Sequence, residues 1–102
     1  MDNKIRLTLP SLKVLGVLMN SRRYRASGAD IIRGTGLSSG TVYPILTRFE
    51  TAELLSGEWE DIDPSSACRP RRRYYTLTGI GQRTAQQAFT SFAFQARNPK
   101  WA

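Results

Sequence analysis

The sequence predicts a mainly helical domain with one small β-hairpin, and three observations carry that expectation. Two short helical patterns meet at Gly34-Thr35-Gly36, with Ser38 just beyond, which is the layout of two helices joined by a tight turn. Val42, Ile45, Leu46 and Phe49 recur at i, i+3, i+4 and i+7, the stripe of an amphipathic helix. Two later segments, Leu55–Trp59 and Arg73–Leu77, alternate with period two and flank a turn-rich, basic stretch, as the strands of a hairpin do. With one further helix at each end, the expected fold class is a winged helix-turn-helix.

Composition bounds what such a domain could do. A chain of 102 residues allows one modest core, which oligomerisation would help to stabilise. Its net charge of +7 and pI near 10.3 point to an anionic partner, above all nucleic acid. The excess is local. Six of the eight acids lie between Glu50 and Asp63, whereas Pro64 onward holds six Arg, one Lys and no acid. No histidine is present, which removes the commonest general base and neutral metal ligand. A single cysteine, no membrane-length apolar run and no signal-peptide pattern predict a reducing, cytoplasmic setting, nucleoid-associated when bound to DNA.

Residues 1–7 read as a short arm of mixed charge. Pro10 suits the first turn of a helix over Pro10–Asn20, since its missing amide would be unpaired there anyway. Six of the eight residues from Leu12 to Met19 are apolar. A helix this apolar all round needs burial on more than one side, and the second side is expected to meet another chain. Arg22-Arg23-Tyr24-Arg25 is a basic turn, read equally well as a solvated connector or a phosphate contact. Ser27 caps the next short helix, with Asp30 placed as in a capping box and Ile31 and Ile32 facing inward.

Ser38 is a natural N-cap for the following helix. That helix sets Ser39, Thr41, Tyr43, Thr47 and Arg48 opposite its apolar stripe, with no acid before Glu50. These are donors for phosphates and base edges. Gly40 would let the backbone approach a bulky partner, and Pro44 removes one intrahelical bond. In the hairpin, alternation predicts that Trp59, Tyr75 and Leu77 face the core and that Tyr74 is more exposed. Trp59→Ala would then cost about 3–5 kcal/mol. Asp61–Ala67 reads as a loop. Arg69, Arg71, Arg72 and Arg73 could neutralise several phosphates. A last helix is expected from about Ile80 to Arg97, with Pro99 ending it.

The order helix, helix, turn, helix, hairpin, helix resembles the PadR-like winged-helix transcriptional regulators over roughly Leu9–Gly81. The residues that carry the likeness are Gly40-Thr41-Val42-Tyr43-Pro44-Ile45-Leu46, then Arg48-Phe49-Glu50 and Leu54-Leu55. The hairpin adds Arg69-Pro70 and Arg73-Tyr74-Tyr75-Thr76-Leu77-Thr78. The resemblance implies a dimeric DNA-binding repressor. Its recognition helix would enter the major groove and its wing would lie on the backbone or minor groove.

On this reading residues 1–79 form the DNA-binding domain and residues 80–102 a C-terminal dimerisation helix and tail. The expected DNA contacts are Ser38, Ser39, Gly40, Thr41, Tyr43, Pro44, Thr47, Arg48, Arg69, Arg71, Arg72 and Arg73. The expected dimer contacts are Leu12, Val14, Leu15, Leu18, Phe89, Phe92 and Phe94, in a two-fold arrangement that sets half-sites of a palindrome about 10 base pairs apart. Some compact relatives bind flat aromatic compounds at that interface. Here Phe92, Phe94 and Trp101 could line such a site, although core and dimer packing explain them more simply. Two departures carry expectations. Glu53 stands where the family usually has Gly, which argues against a left-handed end to the recognition helix. Ala67-Cys68 stand where a Gly is common, so the wing tip should be shaped differently.

Enzymatic readings fare badly without histidine, since no Ser-His or Cys-His pair can form. Glu58, Glu60, Asp61 and Asp63 lack the loop spacing of a calcium site. They are expected to solvate the wing or offset its arginines, and no metal or cofactor is expected. Cys68 beside Arg69 reads as an ordinary thiol before a redox sensor. The competing function from another class is a protein-interaction or assembly module whose basic wing binds an acidic partner.

Overall fold

The computed structural model describes residues 7–97, with side chains described through Ser91. The N-terminal arm and Pro99, Lys100 and Trp101 lie outside the described residues, as do the side chains of Phe92 and Phe94.

Helix α1 spans Leu9–Met19 and is opened by Thr8, whose hydroxyl accepts from the Ser11 amide. A 3₁₀ turn over Arg22–Tyr24 leads into a short strand, β1, at Arg25–Ser27. Ser27 Oγ accepts from the Asp30 amide at 3.1 Å and starts α2, Gly28–Thr35. Gly36 ends α2 at φ 74°, in the left-handed region that glycine enters without steric cost. Helix α3 follows over Ser39–Thr51, then β2 at Leu55–Trp59, a one-turn helix α4 at Pro64–Ala67, β3 at Arg73–Leu77 and α5 at Gly79–Arg97. The sheet is antiparallel in the order β1-β3-β2, with Leu55 opposite Leu77 and Trp59 opposite Arg73. No helix among the described residues is long and apolar enough to cross a membrane.

The core is continuous from α1 through α3 to the inner ends of the strands. Val14, Leu15, Leu18, Ile31, Val42, Leu46 and Phe49 are all but fully buried, and Leu54, Leu55, Tyr75, Leu77 and Ala85 close it. Helix α1 packs against α2, α3, α5 and the sheet. Its own chain therefore covers the side formed by Val14, Leu15 and Leu18, while Leu9, Leu12, Val17 and Met19 keep accessible surface. Val14, Leu15 and Leu18 are 0 % exposed, so their assignment to a dimer interface is corrected: they are core residues. Of the four, only Leu12 keeps accessible surface. Phe89 is half-buried and lays its ring 3.6 Å from the position of a Cβ on Gly16, so part of it also serves the chain's own packing.

Helix α3 ends in a left-handed cap despite its glutamate. Glu53 sits at φ 65°, the Leu54 amide donates to the Phe49 carbonyl at 2.9 Å and the Glu53 amide to the Glu50 carbonyl at 3.0 Å. This is the Schellman pairing, and it corrects the expectation drawn from the missing glycine. Tertiary structure holds the unfavourable conformation in place. Leu54 is buried, and the Thr78 hydroxyl donates to the Glu53 carbonyl at 2.7 Å.

Trp59 also departs from expectation, being 62 % exposed. Alternation places it correctly on the sheet face of Leu55, but the core ends before the strand does. It is therefore excluded from the set of buried aromatics whose truncation costs several kcal/mol. Tyr75 and Leu77 are buried and Tyr74 is more exposed, as alternation predicts. The stretch read as a loop from Asp61 to Ala67 holds α4. Asp63 caps it by accepting from the Ser65 amide and Ser66 hydroxyl, both at 3.1 Å, and Cys68 closes it at φ 59°.

Candidate nucleic-acid interface

Helix α3 divides cleanly into two faces. Val42, Ile45, Leu46 and Phe49 are buried, while Ser39, Gly40, Thr41, Tyr43, Pro44, Thr47 and Arg48 are exposed. Ser38 occupies the N-cap position. Its hydroxyl donates to the Thr41 hydroxyl at 3.2 Å instead of accepting from a first-turn amide; the Thr41 amide donates to the Ser38 carbonyl at 3.1 Å, and those of Ser39 and Gly40 have no side-chain cap. An uncapped helix N-terminus carries partial positive charge and unpaired donors, the ordinary complement of an anion. Tyr43 has a second role. A Cβ at Gly28 would lie 2.6 Å from its hydroxyl, so the bare backbone of Gly28 lets the phenol rest over the start of α2.

The hairpin is organised by Glu60. Its carboxylate accepts two parallel bonds from Arg69, at 2.8 and 2.7 Å, and a third from the Arg72 amide at 3.1 Å. The Glu60 amide donates back to the Arg72 carbonyl at 2.7 Å. A two-pronged guanidinium–carboxylate pair fixes geometry as well as charge. The Arg69 side-chain hydrogen bond holds the Glu60 carboxyl at about 2, below its ordinary 4.5, with burial opposing the shift.

That shift has a pH consequence. A carboxyl whose folded pKa lies below its unfolded value contributes stability above the unfolded value and loses it as pH falls to the folded one. Glu60 therefore contributes fully above about 4.5, and its contribution fades between there and about 2. Protection of the Glu60 and Arg72 amides, taken relative to intrinsic exchange at each pH, should fall as pH is lowered across that window. Glu60→Gln should show low protection throughout, with no step. A wild-type wing whose protection is flat across the window would remove Glu60 from this role.

The other wing arginines divide into held and free. Arg73 donates to Glu50 of α3 at 2.9 Å and stacks 5.3 Å from the Trp59 ring and 5.8 Å from the Tyr75 ring. A Cβ on Gly57 would lie 2.7 Å from both partners of this ion pair, so glycine makes the room for it. This pair ties the last turn of α3 to the hairpin. Arg25 pairs with Glu58 at 2.6 Å and stacks on Tyr74 on the opposite sheet face. Arg71 is exposed, with Nε donating to the Ile62 carbonyl at 2.9 Å. The exposed Arg72 side chain and that of Arg48 meet no acceptor among the described residues.

Of the expected contacts, then, the α3 set lies on one exposed face, and Arg71 and Arg72 are exposed on the hairpin. Arg69 and Arg73 are committed to Glu60 and Glu50. The Glu60–Arg69 pair bears out the expectation that this acid offsets a wing arginine, whereas the contacts of Glu50, Gly28 and Gly57 were missed, since they join distant segments with no periodic signal. Among the described residues, no three His, Cys, Asp or Glu side chains converge as metal ligands would.

The transcriptional regulator PadR-like family matches residues 14–87. A PadR family transcription regulator from Clostridium difficile R20291 superposes with a TM-score of 0.73 at 21 % identity, covering 88 % of this chain and 93 % of that one. A PadR family regulator from Eggerthella lenta gives a TM-score of 0.66 at 25 % identity, covering 85 % and 76 % respectively. The ferric uptake regulation protein of Legionella pneumophila is 37 % identical over 60 residues, 54 % of this chain and 44 % of that protein. The chain thus spans less than half the length of that curated relative.

Proposed function

We propose that this chain, which belongs to the PadR-like family of transcriptional regulators, works as a dimeric repressor on a palindromic duplex operator. The observation that carries the reading is the exposed, acid-free donor face of α3, joined to a basic hairpin through Glu50 and Arg73. Ser39, Thr41, Tyr43, Thr47 and Arg48 would meet base edges and phosphates in the major groove. Ser38, Gly40 and Pro44 shape the approach of the helix start. Arg71 and Arg72 would meet phosphates of the flanking backbone, with Arg69 and Arg73 holding the hairpin in place.

The dimer would use α1 and α5. Leu9 is 59 % exposed and Ile80 48 %, and with Leu12 and the open part of Phe89 they supply apolar surface of the kind that marks an interface. A two-fold axis between two such chains would set the α3 helices about one duplex turn apart.

Selection of bound sequences from a random duplex pool tests the reading. Enrichment of an inverted repeat with half-site centres about 10 base pairs apart is the expected outcome. A pool that returns no preferred sequence, with binding indifferent to salt, would instead favour an acidic protein partner for the wing.

A further inference from the structure

Tyr43 is set apart on the exposed face of α3 by its seat on another element. It is 43 % exposed, and the outer edge of its ring lies against Gly28, the first residue of α2. An added Cβ at Gly28 would stand 2.6 Å from the Tyr43 hydroxyl oxygen and 3.0 Å from Cε1 and Cζ. Backbone conformation does not call for a glycine here. Gly28 is buried within the helix, and the described glycine with positive φ is Gly36. Alanine is the better helix former by up to about 1 kcal/mol. The missing side chain serves the phenol.

Which of the two would yield to a methyl group decides what Gly28 does. The start of α2 is anchored. Ser27 pairs with Tyr74 of β3, its Oγ accepts from the Asp30 amide at 3.1 Å, and Ala26 and Ser27 are both buried. The Tyr43 ring, by contrast, has solvent beside it and turns about single bonds. A methyl at Gly28 therefore moves the phenol and leaves helix and strand in place. Its cost falls on the position of one aromatic, hydrogen-bonding tip, and hardly on stability. That position matters for recognition, since a binding site must hold its groups within about 0.5 Å of the productive geometry, and base pairs differ in the major groove by where donors and acceptors lie.

We infer that Gly28 is a specificity-positioning residue: by leaving room for the Tyr43 phenol on the first turn of α2, it fixes the orientation in which α3 offers that phenol to a base-pair edge. The inference rests on the DNA-binding reading above. It adds to that reading a buried residue that acts on sequence preference through another side chain.

The test uses the full chain in four forms: the parent, Gly28→Ala, Tyr43→Ala and the two changes together. Bound sequences are selected from a random duplex pool with the parent and with Gly28→Ala. All four forms are then titrated with the parent's selected duplex and with a random-sequence duplex of equal length. Gly28→Ala should keep or slightly raise the urea midpoint and hold the random duplex as tightly as the parent does. It should bind the selected duplex roughly tenfold more weakly, the scale of one misread base pair. Its own selected sequences should lose the preference at one position in each half-site and keep the others. Once Tyr43 is alanine, adding Gly28→Ala should change neither affinity. Unaltered preferences in Gly28→Ala would overturn the inference. So would an equal loss with and without the phenol, which assigns the effect to α2 itself, or a markedly lowered midpoint, which shows that α2 gives way in place of the ring. In each of those cases the DNA-binding reading stands. If the parent selects no sequence, that reading falls and the inference falls with it.

Discussion

Gly81→Ala is expected to destabilise the chain by on the order of 3 kcal/mol, the upper end for forcing extra volume into a packed site. An added Cβ would stand 2.1 Å from the Leu54 carbonyl oxygen, 3.0 Å from its carbon and 3.1 Å from Leu77 Cδ2. Backbone, unlike a flexible side chain, cannot swing aside. The Leu54 carbonyl accepts from the Thr78 amide at 3.0 Å and its hydroxyl at 3.2 Å, while the Leu54 amide is fixed on Phe49 at 2.9 Å. Relief would require the start of α5 to move, and that start is bonded in turn. The Gly81 amide donates to Thr78 Oγ1 at 3.0 Å, and the Gln82 amide to the Thr78 carbonyl at 2.8 Å.

Gly79→Ala provides the control. Both glycines lie in the first turn of α5, where alanine is intrinsically the better helix former by up to about 1 kcal/mol. At Gly79 the new methyl would meet only Arg83 Nη1, at 3.8 Å. Gly79→Ala should therefore leave the urea midpoint unchanged or raise it slightly, and Gly81→Ala should lower it markedly. Equal midpoints would show that α5 can be repositioned cheaply over Leu54. The same variant bears on function, because α5 carries half of the proposed dimer surface and Leu54 follows α3 directly.

What was legible from the sequence followed from short-range rules. The stripe Val42, Ile45, Leu46, Phe49 is buried because a helical period fixes one face without reference to the rest of the chain. Ser27 and Gly36 bound α2 because caps are local chemistry. Strand alternation likewise assigned Leu55 and Trp59 to one face, but alternation carries no information about how far the core extends beneath it. The three-residue β1 is too short to show a period at all. The turn α4 had a signal, Asp63 followed by Pro64, that the turn-rich composition around it obscured. Val14, Leu15 and Leu18 show the converse error. An all-round apolar helix reads as shared between chains, yet α2, α3, α5 and the sheet suffice to bury these three residues.

The candidate site divides along the same line. The α3 donor face is a local pattern and was readable. The sorting of four wing arginines into two held and two free was not, because Glu60–Arg69 and Glu50–Arg73 join residues that only the folded hairpin brings together. Glu58, Glu60, Asp61 and Asp63 were expected to solvate the wing or offset its arginines. Glu60 does so by pinning Arg69, and Glu50, outside that group, pins Arg73.

That sorting predicts sharply different behaviour from neighbouring arginines. Replacing Arg71 and Arg72 together with Ala should weaken duplex binding by roughly four-thousandfold near 0.1 M salt. Each lost phosphate contact removes about 0.9 from the slope of log affinity against log salt, hence roughly eightfold at that concentration. Two contacts per chain and two chains per operator make four. The slope itself should become shallower by about 3–4, and discrimination between preferred and random sequence should survive, because phosphates carry no sequence information. Stability should hardly change, since Arg72 makes no side-chain bond among the described residues and Arg71 only one, exposed, to the Ile62 carbonyl. Arg69→Ala should do the reverse. It leaves Glu60 without its two-pronged partner, so the hairpin should lose amide protection first and affinity as a consequence. Restoring the wing by other means, such as high concentrations of a stabilising osmolyte, should then recover binding for Arg69→Ala but not for the double variant. If the double variant keeps its affinity and salt slope while Arg69→Ala alone loses both with its wing intact, the phosphate contact belongs to Arg69 and the division of labour argued from Glu60 is wrong.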